Sequence, residues 1–590
     1  MQLDPRGDLA QQRQAGDPAG DNTEMSAIRS SRSGDANQGL LALLVSLVTL
    51  TTFTALFVFR FLDDNRLTSW QWAFDQSDIR LLVLVLAAGV ALAYAASGVS
   101  IPARAQGAVL FALAFAAAVP FWGVPEVVVD AARYFMQAKH LELYGAGFFI
   151  QEWGGDIAAW TDLPLVPFLH GLVFSLFGET RMAVQAFTSL LFAGTVVLTW
   201  LIGRTLWDDV AGGCAAALLL AMPYLLTQPA LMLVDVPTMF FLTLAVFTTI
   251  KAVREGGAGV LSGAAAAITL ALLSKYSTWL MLTVVPVIVL THLDWGGRAV
   301  LRRAAALALG TILLTGTFVL TKVDVVAAQL ELLLTYQLPG LARWEESNAS
   351  TFLFQIHPFV TAAALFALAV AVVRRDRKFA VVAWMLLLLA VLGVKRARYI
   401  LITLPMLALM AGYALREVAD RRIRRFIVSC AVVSSLVTAV FGYLPLLRMM
   451  SAVNLLAAGA YLDGLDVEAV EVYTVPQPRS VINPAVVVPI LDLFTRKRIV
   501  YRGNGVLPPD PALIATSPLR FTWEYDTPRY YAPGAESTPA VAVAVIFSHR
   551  NQPLPDHIGA RIAGLRLSRE FAVSDEMFRF KTLVGVYQLP

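Results

Sequence analysis

Long apolar stretches separated by short polar segments fill the chain as far as about residue 450. Thirteen of them are long enough, or nearly so, to cross a hydrocarbon core, which needs about 20 helical residues. They lie at 38–62, 81–98, 106–123, 182–203, 210–226, 231–253, 257–274, 277–293, 304–322, 353–373, 379–394, 400–415 and 426–447. The pattern predicts a polytopic α-helical membrane protein with about 13 transmembrane helices.

The pattern changes after residue 450. Residues 468–475 alternate between apolar and polar side chains, as a half-buried strand does, and a short helix is expected over 486–494. Further strands are expected at 498–501, 541–547 and 583–589. We therefore expect residues 451–590 to form a small soluble α/β domain.

Composition agrees with a membrane protein and excludes an ordinary soluble one. Of the 590 residues, 57% are hydrophobic and 15% are charged, and the mean hydropathy is +0.66. The net charge of +4 is small. The scattered arginines are explained by membrane topology and do not require a nucleic acid as a partner. Cys214 and Cys430 both lie in apolar runs, so neither a disulfide framework nor a Cys/His metal site is expected.

Lysine and arginine set the orientation, because cytoplasmic loops carry an excess of both. With the N-terminus inside, the loops assigned to the cytoplasm are consistently basic. Their cations are Arg104; Arg204; Lys251 and Arg254; Arg298, Arg302 and Arg303; Arg374, Arg375, Arg377 and Lys378; and Arg416, Arg421, Arg422, Arg424 and Arg425. Thirteen spans then place the 124–181 loop and the C-terminal domain on the outer face.

The 124–181 loop is too polar to span a bilayer and too apolar for an ordinary loop. We expect one or two helices on the membrane surface, which present acids such as Asp130 and Asp162 to a cavity. The aromatic residues of the loop favour the membrane interface, although stacking on a sugar stays open. They include Tyr134, Tyr144, Trp153 and Trp160.

Two acids at the mouths of spans are candidates for chemistry. Asp130 could act as a general base if burial raises its pKa, or it could cap the helix that starts at Ala131-Ala132. Asp235 precedes Pro237 at the start of a span, which suits a helix start, yet an ionisable group at that depth is a functional candidate. Orienting a substrate or a basic partner is favoured for Asp235 over sharing a divalent cation with Asp130.

Four cations are expected on the same outer side: Lys275, Lys395, Arg396 and Arg398. They could hold a phosphate, since the arginine fork matches phosphate oxygens. They could instead extend to lipid head groups. Three cations within 395–398 break the positive-inside rule, and this favours the phosphate.

Several short sequence motifs occur in a characteristic order along the chain. They are Asp130-Ala131-Ala132-Arg133-Tyr134, Asp162-Leu163-Pro164-Leu165-Val166-Pro167, Phe177-Gly178-Glu179-Thr180-Arg181, Leu233-Val234-Asp235-Val236-Pro237, Lys275, and Arg398-Tyr399 before Leu404-Pro405-Met406-Leu407. Taken together they resemble the GT-C glycosyltransferases. More narrowly, they resemble the branch that contains the protein O-mannosyltransferases and the aminoarabinose lipid A transferase. Two positions depart from that pattern: Ala131 replaces a glutamate and Leu163 replaces a lysine.

The pattern of polar and apolar residues and the resemblance together predict four parts. We expect residues 1–37, which are polar, to be a disordered cytoplasmic tail and 38–105 to be an additional N-terminal transmembrane hairpin. Residues 106–450 form the GT-C-like transmembrane domain, whose first outer loop is 124–181. Residues 451–590 form the extracytoplasmic domain.

The resemblance implies transfer of a sugar from a polyprenyl-phosphate carrier to a protein, glycan or lipid acceptor, with inversion. Asp130 would be the base, Asp235 would support it, and the two could hold a divalent metal. Donor phosphate would meet Lys275, Arg396, Arg398 and Tyr399, whereas Arg133, Tyr134 and Asp162 would bind the acceptor or sugar. We expect a multi-pass protein among the lipids of a bacterial inner (plasma) membrane, with its active site outside.

Two other functions compete with the transferase. A transporter or flippase of lipid-linked sugars should show internal repeats and helices broken near the bilayer midplane, and the sequence shows no such repeat. A non-catalytic GT-C-like scaffold of the cell envelope would fit the replaced glutamate and lysine.

Overall fold

Apolar helices form the larger part of the structure, and a small sheet lies near the C-terminal end of the chain. The computed structural model describes residues 19–63, 70–75, 77–340, 346–477, 480–503, 510–517, 519–524, 527–532, 542–578 and 580–590. The α-helices before residue 300 are α1 (Ala19–Phe59), α2 (Trp70–Ala73), α3 (Ile79–Ala96), α4 (Ala103–Ala118), α5 (Val128–Glu152), α6 (Leu165–Phe177), α7 (Arg181–Leu206), α8 (Asp209–Leu219), α9 (Pro223–Thr227), α10 (Asp235–Glu255), α11 (Ala258–Ser274), α12 (Ser277–Met281), α13 (Val284–Thr291) and α14 (Gly297–Thr321). The later ones are α15 (Val323–Leu332), α16 (Leu338–Gly340), α17 (Pro358–Arg374), α18 (Phe379–Val391), α19 (Ala397–Ile400), α20 (Leu404–Ala414), α21 (Arg421–Val437), α22 (Leu444–Met449), α23 (Val453–Asp463), α24 (Val487–Leu493), α25 (Pro511–Thr516) and α26 (Asp556–Ile562).

Eight helical segments among the described residues are long and apolar enough to cross a membrane. They are Asn37–Leu62, Ile79–Ala96, Ala103–Phe121, Arg181–Leu206, Asp235–Glu255, Gly297–Thr321, Ala397–Glu417 and Arg421–Met449, and each coincides with a predicted run. The other five predicted runs coincide with shorter apolar helices, at Asp209–Leu219, Ala258–Ser274, Ser277–Thr291, Pro358–Arg374 and Phe379–Val391. The chain is therefore an integral multi-pass membrane protein.

The N-terminal hairpin packs on the rest of the bundle through α21. Phe53 of α1, Leu86 of α3 and Phe426 of α21 share one apolar cluster. Helix α1 begins at Ala19, inside the segment for which the sequence predicts a disordered tail, and residues 1–18 lie outside the described residues. The first hairpin thus adds helices to the side of the bundle formed by α21.

The predicted surface helices are α5 and α6, and α5 is a central packing element. Ala131, Ala132 and Phe135 of α5 are fully buried. They share one apolar cluster with Val487 and Ile490 of α24, in the C-terminal domain. One face of α5 is thus covered by the C-terminal domain.

The sheet of the C-terminal domain has five strands in the order β2-β1-β3-β5-β4. They are β1 (Ala469–Thr474), β2 (Arg498–Tyr501), β3 (Ala542–Phe547), β4 (Arg566–Phe571) and β5 (Leu583–Gln588). β1 is parallel to β2 and β3, whereas β5 is antiparallel to β3 and β4. The predictions for β1, β2, β3, β5 and α24 are confirmed. β4 was not predicted, because it is an exposed edge strand without an apolar face.

A buried ion pair anchors the start of the loop to the bundle. Arg181 Nε donates to Glu126 Oε1 at 2.8 Å, and Arg181 Nη1 donates to the Trp122 carbonyl oxygen at 2.8 Å. Glu126 Oε2 in turn accepts from the backbone N–H of Met232 at 2.9 Å. Arg181, the last residue of the Phe177–Arg181 motif, therefore fixes the segment that leads into α5 against the segment before α10.

A second charged cluster joins α5 to the C-terminal domain. Lys139 Nζ lies 2.5 Å from Asp492 Oδ2 and 3.1 Å from Glu179 Oε1. Tyr531 OH donates to the same Asp492 oxygen at 2.7 Å. Burial and the charge of Asp492 raise the pKa of Glu179 to about 8, and Lys139 only partly offsets the increase.

We expect Glu179→Gln to reduce the pH dependence of stability. Because the folded-state pKa of Glu179, about 8, exceeds its ordinary value of 4.5, its stabilising contribution is complete below pH 4.5 and is lost as the pH rises through about 8. The apparent Tm of the wild type should fall more across that window than that of Glu179→Gln. Thermal denaturation in detergent over a pH series measures this, with Glu255→Gln, an exposed glutamate, as the control. Parallel curves for wild type and Glu179→Gln would contradict the expectation.

A charged cavity as the candidate active site

A polar cavity of about 130 Å³ lies where the ends of the membrane helices meet α5 and the C-terminal domain. Eight of the nine residues that the resemblance assigns to the site line it: Asp130, Arg133, Tyr134, Asp162, Lys275, Arg396, Arg398 and Tyr399. The ninth, Asp235, lies behind them and contacts two of their side chains. The fold therefore brings together residues that are up to 269 positions apart in the chain, from 130 to 399.

Asp235 is a fully buried carboxylate between two cations. Its Oδ1 accepts from Lys275 Nζ at 2.6 Å, and its Oδ2 accepts from Arg398 Nε at 2.8 Å. Both carboxylate oxygens are thus engaged in charge-assisted hydrogen bonds. Asp235 therefore fixes Lys275 and Arg398, two of the four cations that the sequence assigns to a phosphate.

Asp130 lies on the other side of the Arg398 fork. Arg398 Nη1 donates to Asp130 Oδ2, and Arg133 Nη2 lies 3.7 Å from Asp130 Oδ1. Burial raises the pKa of Asp130, but the charges of Arg398 and Arg133 outweigh burial and hold the pKa below its ordinary value. The expectation of a raised pKa for Asp130 is therefore wrong, and Asp130 is a carboxylate at neutral pH.

Arg133 and Asp162 form a second ion pair beside Asp130. Arg133 Nε lies 2.5 Å from Asp162 Oδ2, which also accepts from Gln137 Nε2 at 3.1 Å. Burial raises the pKa of Asp162, and the charge of Arg133 offsets only part of that rise. Arg133 Nη2 also donates to Tyr134 OH at 3.2 Å, so Arg133 contacts three of the predicted site residues.

Arg396 and Tyr399 close the cavity on the side of Lys275. Arg396 Cζ lies 5.3 Å from the centroid of the Tyr399 ring, and Lys275 Nζ lies 5.7 Å from it. Counting Asp235, the cavity residues carry four cations and three carboxylates, a net charge of +1. An anionic group is therefore favoured in this cavity.

Neither Asp130 nor Asp235 is the capping residue of its helix. The N-cap positions of α5 and α10 are Val127 and Val234, whose side chains cannot accept hydrogen bonds. Both acids lie in the first turn, where a negative charge suits the helix dipole. Their carboxylates point at Arg398 rather than at backbone N–H groups.

The residues present do not fit the divalent metal suggested for Asp130 and Asp235. Both oxygens of Asp235 already accept from cations, and Arg398 lies between the two acids. A divalent ion would have to compete with Arg398 and Lys275 for the same oxygens. Within the described ranges, no three His, Cys, Asp or Glu side chains come together in a way that could hold a metal ion.

Two larger apolar cavities share lining residues with the polar one. The first, which we call the bundle cavity, has a volume of about 460 Å³ and shares Lys275 and Tyr399 with the polar cavity. Its walls include Leu280, Met281, Leu333, Leu334, Leu338, Leu389 and Leu392. The second, the interdomain cavity, has a volume of about 320 Å³ and shares Asp130, Arg396 and Arg398. Its walls include Leu231, Leu446, Leu447, Met577, Phe578 and Phe580.

Several residues of the polar cavity have no sequence signal that would identify them. Tyr276, Tyr336 and Gln337 follow or end apolar helices, and Tyr276 OH donates to Gln337 Oε1 at 3.3 Å. Leu519 and Phe521 come from the C-terminal domain, in which the sequence shows no catalytic pattern. Tertiary packing alone brings them to the cavity.

Comparison with known proteins supports one class. The family described as dolichyl-phosphate-mannose-protein mannosyltransferase matches residues 162–336, a stretch that includes Asp162, Asp235 and Lys275. No curated protein matches the chain by sequence.

The solved structures of ArnT share the fold over most of the chain. ArnT from Cupriavidus metallidurans bound to undecaprenyl phosphate superposes with a TM-score of 0.52 at 13% identity, covering 82% of this chain and 98% of that one. The apo state of the same ArnT gives 0.50 at 16% identity with the same coverage. Oligosaccharyltransferase AglB from Archaeoglobus fulgidus, in complex with an inhibitory peptide and a dolichol-phosphate, is less similar, with a TM-score of 0.43 at 11% identity, 75% of this chain and 69% of that one.

The fold is that of ArnT, and residues 162–336 match the mannosyltransferase family. Together these similarities confirm the GT-C resemblance carried by the sequence motifs.

Proposed function

We propose that this protein transfers a sugar from a polyprenyl-phosphate carrier to an acceptor hydroxyl, with inversion at the sugar carbon. The observation that carries the proposal is the position of the charge cluster. Asp130, Lys275 and Arg398 belong to the residues that the polar cavity shares with two apolar ones, and Asp235 lies directly behind Lys275 and Arg398. Such a junction suits a reaction in which a charged phosphate and a hydroxyl meet while apolar chains stay out of water.

The bundle cavity is the proposed place of the polyprenyl chain. Its apolar walls face a cation, Lys275, at the mouth, and ArnT of similar fold has been solved with undecaprenyl phosphate bound. Leu163 lines the polar cavity where the resembling branch has a lysine, so Lys275, Arg396 and Arg398 supply the cations for the phosphate here. Arginine and lysine donate strong charge-assisted hydrogen bonds to phosphate oxygens.

The proposed reaction is a single displacement. The acceptor oxygen forms a bond to the anomeric carbon as the bond from that carbon to the phosphate oxygen breaks. Polyprenyl phosphate leaves with the electron pair, and Lys275 and Arg398 stabilise the charge that develops on it. The hydroxyl proton passes to Asp130.

Asp130 can take that role although its pKa is low. It is ionised and therefore able to accept a proton, and Arg398 fixes its orientation. A weak base takes the proton late, when bond formation to carbon has made the hydroxyl acidic. Arg133, Tyr134 and Asp162 are placed beside it to bind the sugar or the acceptor.

The proposal extends to topology and location. All thirteen apolar runs would cross the membrane, and the polar cavity and the C-terminal domain would lie on its outer face. A bacterial inner membrane is the proposed location. The transferred sugar would be a hexose or a pentose, and the acceptor a protein, a glycan or a lipid.

A donor panel tests the proposal. Purified protein in detergent is incubated with radiolabelled polyprenyl-phosphate mannose, glucose or arabinose and cell-envelope extract, and the products are separated by thin-layer chromatography. We expect label to leave one carrier. Label that stays on every carrier with well-folded protein would overturn the proposal in favour of a scaffold. Label that crosses a vesicle bilayer while still attached would indicate a flippase.

A further inference from the structure

The C-terminal domain forms one wall of the polar cavity. Its turn Arg520–Trp523 carries Phe521, which lines the cavity beside Arg133 and Asp162. Arg133 Cζ lies 4.7 Å from the centroid of the Phe521 ring. A ring from this domain thus covers the guanidinium that pairs with Asp162 and approaches Asp130.

The turn is held from both sides. Within its own domain, Thr522 Oγ1 accepts from the Asn483 N–H at 3.1 Å. On the side of the membrane helices, Tyr336 OH donates to the Ser517 carbonyl oxygen at 2.8 Å, and Arg520 Cζ lies 4.1 Å from the Tyr336 ring centroid. Phe521 is therefore fixed relative to the cavity, and it is almost completely buried.

A strained residue two positions before Asp162 packs on the same ring. Trp160 has a φ of +47°, a left-handed conformation that is costly for a bulky residue and persists only where packing holds it. Its ring centroid lies 5.9 Å from that of Phe521 and 5.8 Å from that of Tyr336. The backbone that leads to Asp162 is therefore supported by Phe521.

We propose that Phe521 is a positioning residue, through which the C-terminal domain holds Arg133 and Asp162 in their working geometry. The negative face of an aromatic ring attracts a guanidinium, most strongly where water is excluded. The ring also limits the rotation of Arg133 away from Asp162 and Asp130. The domain thereby completes the site without supplying a reacting group. The effect on catalysis rests on the proposed function, whereas the effect on geometry does not.

Phe521→Ala in the full chain tests the inference. We expect kcat for sugar transfer to fall about tenfold, while KM for the donor changes less than about twofold because Lys275 and Arg398 are untouched. Phe521→Tyr keeps the ring and should restore kcat. Phe521→Leu keeps apolar bulk without the ring face and should stay low. The matched control is Phe571→Ala, a half-buried phenylalanine in β4 of the same domain, which should keep wild-type kcat.

Hydrogen exchange gives a second readout that needs no activity. The Asp162 N–H donates to the Ala159 carbonyl oxygen at 2.8 Å, and we expect peptides that contain this bond to exchange faster in Phe521→Ala and Phe521→Leu than in wild type or Phe571→Ala. Unchanged exchange, or wild-type kcat in Phe521→Leu, would overturn the positioning role. If wild type transfers no sugar but exchange responds as expected, the positioning role stands and the proposed function fails.

Discussion

We expect Asp130→Asn to lower the rate of sugar transfer by about 10²–10⁴-fold without loss of folded protein. The amide has nearly the same shape as the carboxylate and can still accept a hydrogen bond from Arg398, so the cavity should keep its form. It cannot accept the hydroxyl proton at neutral pH. Donor KM should change little, because Asp235 still fixes Lys275 and Arg398, two of the cations proposed for the phosphate.

The measurement is initial rate against donor concentration in detergent, beside the apparent Tm of each variant. Asp156→Asn is the matched control, because Asp156 is an exposed aspartate of the same 124–181 stretch, in the connection between α5 and α6. Transfer by Asp130→Asn at more than about a third of the wild-type rate would exclude a catalytic base at this position. Wild-type binding of the donor with no transfer in either protein would favour the scaffold.

We expect Asp235→Asn to be the most destabilising single change in the cavity. Removing one partner from a buried ion pair costs about 3–5 kcal/mol, because the remaining charge stays buried without compensation. Here one carboxylate serves two cations, Lys275 and Arg398, and its side chain is 1% exposed. The apparent Tm should fall, and transfer should fall with it, since neither cation would be held at the phosphate.

The control for this variant is Asp209→Asn. Asp209 begins α8 as Asp235 begins α10, but its side chain is 56% exposed. If both variants show the same small fall in apparent Tm, Asp235 does no more than stabilise the start of its helix. The double variant Asp235→Asn/Lys275→Met removes one of the stranded cations, so it should be more stable than Asp235→Asn alone. A double variant as unstable as the sum of the two single changes would show that Asp235 and Lys275 are not coupled.

The edge strand β4 of the C-terminal sheet could not be predicted from the pattern of apolar and polar residues. The four predicted strands are buried on at least one face, so their sequences contain the apolar side chains that a buried strand needs. β4 is predominantly exposed and polar, and only its hydrogen bonds to β5 make it a strand. Backbone hydrogen bonds do not require apolar side chains in an edge strand, so the residue pattern of β4 does not identify it as a strand.

By itself, the sequence determined which segments are apolar enough for the membrane, because the cost of burying polar groups in lipid acts on each segment separately. It also identified Asp130, Asp235, Lys275 and Arg398 as candidate site residues, since charged residues at the ends of membrane spans are energetically costly and usually functional. Only the tertiary structure decided how these charges pair. Arg398 lies between two acids that are 105 positions apart, and this contact sets the low pKa of Asp130. The role of Phe521 was equally invisible, because an aromatic residue in a soluble domain looks like any core residue until packing places it on Arg133.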